Sequence, residues 1–212
     1  KNYINNIKPG KYFINKEINN NDLINLLRSG RQSPVKVTFN NVRSLQVVSS
    51  KLSTYLEADS SEIYQAFVDH AFLSDFKFNI SNVISIFIPN TYEFYWNTSA
   101  VQLRKRTLKE YNSFWNKERV KKASMINLTL TEVSTLASIV EKEQNIKKDE
   151  RPTIAGLYLN RLKKNMKLES DPTLIFALKD FNISRVLNKD KKIDSPYNTY
   201  KYKGLPPGPI CI

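Results

Sequence analysis

Carboxylates and hydroxyls are the side chains that could carry chemistry in this sequence. There is one His (His70) and one Cys (Cys211), too few for a His/Cys zinc site, a disulfide framework or a CxxC redox motif. A Ser-His-Asp or Cys-His arrangement would have to use His70, and nothing around it reads as a site. No metal and no cofactor is implied. The carboxylates of interest fall between Thr129 and Thr173. Glu141 and Glu143 close an apolar-periodic run, and Glu169 and Asp171 sit in the loop Leu168-Glu169-Ser170-Asp171-Pro172-Thr173. A carboxyl at the border of core and solvent is partly desolvated, which raises its pKa toward the range useful for proton transfer.

The elements around these residues follow from spacing. Thr129-Leu-Thr-Glu132 fits a capping box and opens a helix. Val133, Leu136, Ala137 and Val140 then fall at i, i+3, i+4 and i+7 as one apolar stripe. At about 100° per residue, Glu141 and Glu143 lie about 90° and about 70° from its centre, on opposite sides, with Lys142 pointing fully away. The two glutamates point about 200° apart, so they cannot form a facing catalytic pair. Periodicity does not decide between them. Arg151-Pro152 starts the next helix, with Ile154, Ala155, Leu157, Tyr158 and Leu162 as its apolar face. The runs Pro196 to Tyr200 and Gly204 to Ile210 are dense in polar side chains and rigid backbone, as befits loops that shape a cleft.

The 212 residues allow one large domain or two small ones, and a composition 41% apolar and 11% aromatic excludes a disordered basic tail. Net charge is +13, divided +3 before residue 80 and +10 after it. The basic patches are short and interrupted, so most are solvated helix faces and loops. No stretch approaches the roughly 20 apolar residues of a membrane span. A chain that starts at Lys1 reads as a mature form or an excised fragment. The first 80 residues suggest a small α+β module: a strand over Lys11–Ile14, a helix over 23–28 ended by Ser29-Gly30, a strand over Val35–Phe39, and helices from about 45 and 60. Val83 to Pro89 reads as a buried strand, and residues 99 to 120 as one long amphipathic helix. The aromatic run from Tyr92 to Trp96 reads chiefly as core and interface, with a saccharide platform as its other use.

Several ordered motifs resemble the endolytic murein transglycosylase (YceG-like) family. They are Leu136-Ala-Ser-Ile-Val-Glu-Lys-Glu143, Glu150-Arg-Pro152, Ile154-Ala-Gly156, Asn160-Arg-Leu162, Asp171-Pro-Thr173, Tyr197-Asn-Thr-Tyr200 and Gly204-Leu-Pro-Pro-Gly-Pro-Ile210. Upstream, Phe87-Ile-Pro-Asn-Thr-Tyr92 is similar to the family's Phe-x-Pro-Asp-Thr-Tyr, with Asn90 replacing Asp. Gly10-x-Tyr12 and Leu26-x-x-Ser-Gly30 resemble its LysM-like module. The resemblance implies an α+β fold: a partial LysM-like N-terminal module over 1–80, then a transglycosylase catalytic domain over 81–212 whose central helix carries the acid.

It also implies an enzyme that cuts nascent peptidoglycan strands internally, at the β-1,4 bond between N-acetylmuramic acid and N-acetylglucosamine. The muramyl C6 hydroxyl attacks C1 and leaves a 1,6-anhydro end. One carboxyl suffices, protonating the leaving oxygen and then taking the hydroxyl proton. The family's acid is the first Glu of Glu-Lys-Glu, which maps to Glu141. Asn160, Asp171, Thr173, Tyr197, Asn198 and Tyr200 map to saccharide positioning or to orienting the acid; each also fits a loop-capping role. Arg151 and Arg161 suit structural ion pairs with loop carboxylates. The implied partners are glycan strands and cell-wall synthases, with no nucleic acid. The implied location is a bacterial inner membrane, held by a single-pass anchor, with this segment facing the periplasm. The family begins with a cytoplasmic stub and a membrane span, and continues past Gly-Pro-Ile with a further helix and strand; this sequence stops at Ile212. The competing reading is a non-catalytic peptidoglycan-binding scaffold.

Overall fold

The computed structural model describes residues 8–183 and 185–212. Polar side chains set most helix starts by accepting a backbone N–H that the first turn leaves unpaired. Asn19 caps α1 (Asn20–Ser29), Ser44 caps α2 (Leu45–Ser53), and Asp59 caps α3 (Ser60–Val68). Asp69 then ends α3 and caps α4 (His70–Asp75), so Ala71 lies on a separate, short helix. Gly30, at φ 67°, closes α1 in the left-handed conformation that glycine adopts without strain. The sequence 99–120 forms two helices, α5 (Ala100–Phe114) and α6 (Lys117–Met125), because the Asn116 side chain caps a new start and interrupts the long helix expected there. Among the described residues no single helix is long and apolar enough to cross a membrane.

Two strands, β1 (Val35–Phe39) and β2 (Asn90–Phe94), pair antiparallel with Val35 opposite Phe94 and Phe39 opposite Asn90. Val35, Val37 and Phe39 are buried and the residues between them exposed, the alternation of a strand with one face on a core. Lys11–Ile14 is not in a strand. Val83–Ile86 is a buried 3₁₀ turn where a strand was expected. The Asn79 side chain accepts from Ser81 and Asn82 N–H, and Asn82 accepts from Asn79 N–H, so local polar bonds curl the segment. A short run that is buried throughout carries no periodicity to distinguish turn from strand.

The first core runs continuously from Val35 to Tyr111. Phe87 is its hub, with ring centroids 5.1 Å from Phe39 and 4.7 Å from Phe67. Because β1 pairs with β2 and α3 packs on α5, the expected boundary at residue 80 passes through this core. A second, smaller core of Leu136, Ile139, Val140, Tyr158, Leu168 and Ile210, with Phe176 packed against it, joins α7 (Leu130–Glu143), α8 (Arg151–Lys163) and α9 (Asp171–Leu178).

The final segment ties the two cores together. Ile210 N–H donates to Ser138 Oγ on α7 at 3.0 Å. Val42 and Ile212 exchange both backbone hydrogen bonds, at 3.1 and 2.9 Å. Gly208 passes so close to residue 81 that an added Cβ would lie 1.9 Å from the Ser81 carbonyl oxygen. Only glycine fits there.

Candidate active site

The capping box of α7 forms as its sequence implies: Thr129 Oγ1 accepts from Glu132 N–H, and Glu132 Oε2 accepts from Thr129 N–H at 2.8 Å. The buried stripe differs from the expected one. Leu136, Ile139 and Val140 are buried, Val133 is half-buried, and Ala137 is exposed. Alanine is too small to declare a face, and α8 and α9 pack on the Ile139 side. The rotation changes where the carboxylates point. Glu143 lies within about 20° of the centre of the observed stripe, whereas Glu141 lies about 150° away, at about 100° per residue. Lys142 does not point fully into solvent; it is half-buried and donates to the Asn41 side chain.

Glu143 emerges where the second core gives way to polar loops. Its Oε2 accepts from Tyr158 OH at 3.0 Å and from Ser170 Oγ at 3.3 Å. Tyr158 belongs to the apolar face of α8 and is 4% exposed, so its ring is core while its hydroxyl reaches the carboxylate. Burial above all, and then the neighbouring Glu143 charge, pushes the Tyr158 hydroxyl up to about 12, with Ser170 and Arg161 opposing. It therefore stays a donor.

Ser170 is presented by a kink. Glu169 takes φ 54°, unusual for a residue with a Cβ, and this turns the chain so that Leu168 and Ser170 are both buried while Glu169 faces outward. Arg161 fastens the kink: one guanidinium nitrogen donates to Lys167 and Leu168 carbonyls at 3.1 and 2.8 Å and pairs with Glu169 at 3.0 Å. Arg151 instead donates to the Gln144 carbonyl at 2.9 Å, at the end of α7.

A second loop closes over the first. Thr199 Oγ1 accepts from Ser170 N–H at 3.0 Å and lies 2.7 Å from Thr173 Oγ1; Thr173 Oγ1 donates to the Ser170 carbonyl at 2.7 Å. Tyr200 OH donates to Asp171 Oδ1 at 2.5 Å. Burial first, then Asp171, Glu169 and Glu143, raise the Tyr200 pKa. The Lys191 ammonium stands 4.4 Å over the Tyr200 ring.

Of the expected site residues, Thr173 bonds Ser170, whose hydroxyl meets Glu143, and Tyr200 bonds Asp171, the next residue along. Among the described residues, none of the expected site residues is hydrogen-bonded to Glu143 itself. Asn198 is fully buried: its amide nitrogen donates to Lys191 and Ile193 carbonyls, and its oxygen accepts from Tyr200 and Lys201 N–H. It shapes the loop from within. Thr173, also fully buried, spends its hydroxyl on that network. Tyr197 packs its ring 4.6 Å from Phe176. Asn160 is two residues beyond Tyr158, about 200° around α8, and lines a separate hollow of about 410 Å³ with Met125 and Leu128. Glu141 is the one charged residue, among the described residues, lining a hollow of about 380 Å³ formed by Phe87, Phe114, Trp115, Ala137 and Cys211.

Tyr158, Ser170 and Thr199 were not singled out by sequence reasoning. Tyr158 was hidden as a member of an apolar stripe; the signal that could have found it is a phenol spaced with that stripe, whose hydroxyl needs a partner once buried. Among the described residues no three His, Cys, Asp or Glu side chains converge to hold a metal ion.

The chain is 28% identical to a putative yceG-like protein of Listeria monocytogenes of known crystal structure, with a TM-score of 0.74 over 99% of this chain and 74% of that one. It is 30% identical to the endolytic murein transglycosylase of Bacillus subtilis over 96% of this chain, and 28% identical to that of Streptococcus pneumoniae D39 over 99%. It spans 60% and 43% of those two relatives. The YceG-like family model matches residues 1–212, and the chain therefore belongs to the YceG-like family.

Proposed function

We propose that this chain is the glycan-cutting part of an endolytic murein transglycosylase. It cleaves the β-1,4 bond between N-acetylmuramic acid and N-acetylglucosamine in nascent strands, leaving 1,6-anhydro ends. The relatives' names support murein as the substrate. Such chemistry needs one carboxyl that gives and then takes a proton, because the substrate's own C6 hydroxyl is the nucleophile. Glu143 is the acid this reading favours, in place of the Glu141 that the motif alignment suggests. The observation that carries it is the pair of hydroxyls, Tyr158 and Ser170, that converge on Glu143 Oε2. They fix the carboxyl and stabilise its anion after proton transfer, while Oε1 is left to meet the glycosidic oxygen. Asp171 and Tyr200 then border the sugar beside it, and Thr173, Thr199 and Asn198 hold the loops that present them.

A second reading keeps Glu141 as the acid. Its support is the hollow it lines beside Trp115, whose buried Nε1 has no partner among the described residues. The family also implies a membrane-anchored protein that works outside the cytoplasm beside cell-wall synthases, with a LysM-like region near its N-terminus.

The test is digestion of uncross-linked glycan strands with product mass spectrometry. Anhydro ends are expected, and reducing muramic ends would make the protein a hydrolase. Saturable strand binding without any product would leave a scaffold. Glu143→Gln is expected to abolish cleavage while Glu141→Gln keeps most of it; the reverse result assigns the acid to Glu141.

A further inference from the structure

Lys142 belongs to neither carboxylate's surroundings. Half-buried between Glu141 and Glu143, it has a neutral partner in the Asn41 amide. Two residues beyond Asn41, the Arg43 guanidinium carbon lies 3.7 Å from the centre of the Phe181 ring. Arg43 is half-buried too. Among the described residues, no carboxylate oxygen lies within 4.0 Å of either cation, whereas Arg161, Lys147 and Lys201 all have such partners.

The two cations line one recess of about 160 Å³, together with Asn145, Pro172, Phe176 and Phe181. The recess adjoins the candidate active site through the chain itself, since Lys142 precedes Glu143 and Pro172 follows Asp171. Its rim is held in place. Val42, next to Arg43, is buried and exchanges two backbone hydrogen bonds with Ile212, and Ile210 lines the recess while its N–H bonds α7. Partial burial of a cation is unfavourable unless something compensates its lost hydration. An aromatic face offsets part of that cost for Arg43, and an amide offsets part for Lys142. Both charges are left with unused donors. Arg43 has a face on Phe181, which leaves its edge, the fork of N–H groups that matches a carboxylate.

We propose that this recess is a subsite for a carboxylate carried on a short apolar scaffold. On the glycan-cutting reading, upon which this step rests, that group is the acidic peptide stem of the strand. Its volume is well below the roughly 300–1,000 Å³ of ordinary ligand pockets, so it takes a side group rather than a sugar pair. The charge selects an anion, and Pro172 and Phe176 select one with carbons next to it.

The experiment compares uncross-linked strands bearing peptide stems with the same strands stripped of stems by an amidase. The double variant Arg43→Gln/Lys142→Gln is expected to raise KM on stem-bearing strands roughly tenfold more than on stripped ones, the scale of one charge-assisted contact. Lys142→Arg, with Arg43 intact, is expected to recover most of the difference. Equal changes on both substrates, or no change, overturn the proposal. A second arm needs no catalysis: titration calorimetry with a soluble muramyl peptide. If the wild type cuts neither strand yet binds this peptide about tenfold tighter than the double variant, the subsite stands and the catalytic reading falls. If the wild type cuts strands but both proteins bind the peptide equally, the subsite falls and the catalytic reading stands. Vesicles of phosphatidylglycerol close the test. Vesicle binding lost in the double variant, with peptide binding intact, would assign the recess to lipid phosphate and overturn it.

Discussion

Between Val35 and Tyr111, twenty-one apolar residues pack into one core, six of them Phe. Between Leu136 and Ile210 only six do, and beside them lie buried Thr135, Ser138, Ser170, Thr173, Asn198 and Thr199. The first region is held by area removed from water, which is strong but non-directional. The second is held by hydrogen bonds, which are worth less each but fix distance and angle. The polar groups that meet Glu143 come from the second region. A thin core laced with directional bonds can place a Tyr and a Ser on one carboxyl; a thick apolar core cannot present them. The first region serves as a base, joined to the second by the segment from Gly208 to Ile212.

The largest effect should break the second region's function without touching the first. Glu143→Gln is expected to lower turnover by about 10²–10⁴-fold, measured as anhydro-end release, with the melting temperature nearly unchanged. A melting temperature that falls with activity would mean Glu143 is structural. In the base, Phe67→Ala should cost about 3–5 kcal/mol in denaturant unfolding, since Phe67 is fully buried against Phe87. A loss below about 1 kcal/mol would show that this core relaxes as readily as a surface cluster.

Thr199→Val sharpens the contrast, because it keeps shape and removes one hydroxyl from the network with Ser170 and Thr173. Stability should fall by about 1–3 kcal/mol and turnover should fall with it. Comparable stability loss with full activity would detach the network from the site.

Titration separates the two regions more finely. Tyr111, in the base, and Tyr158, beside Glu143, are each pushed up from 10.0 to about 12, chiefly by burial. A phenol that ionises later when folded leaves stability intact below pH 10.0; stability is then lost as pH rises toward about 12. Only Tyr158 also feels Glu143. In Glu143→Gln, tyrosinate absorbance should therefore show Tyr158 titrating earlier and Tyr111 unmoved. The smallest effect is Gly156→Ala. An added Cβ there meets nothing within 4 Å, so the substitution should stabilise α8 by roughly 0.5–1 kcal/mol.

Much of this layout is legible in the sequence through short-range rules. The capping box at Thr129, the strand at Val35–Phe39, the Gly30 stop and the proline-led start of α8 each depend on residues a few positions apart, whereas Asp171-Pro172-Thr173, expected in a loop, opens α9. The misreadings share a cause. The strand expected from Val83 to Pro89 and the unbroken helix over 99–120 fail where one Asn side chain, at 79, 82 or 116, supplies a local bond that apolar spacing does not register. The site followed the same division. Thr173 carries the resemblance and bonds Ser170, whose hydroxyl meets Glu143, while Asn160 carries it equally and faces another hollow.

What the sequence by itself determined is the chemistry available: carboxylates and hydroxyls, with a single His and Cys, on elements whose ends are written in local code. What only the tertiary structure decided is which carboxylate meets those hydroxyls. An α7 rotated so that Ile139 faces the core instead of Ala137 carries Glu143 toward Tyr158 and Ser170, and turns Glu141 away from them. That rotation is set by α8, α9 and the closing segment packing against one helix, through contacts 15 to 72 residues apart in sequence. Helical periodicity describes a face; the neighbours choose it.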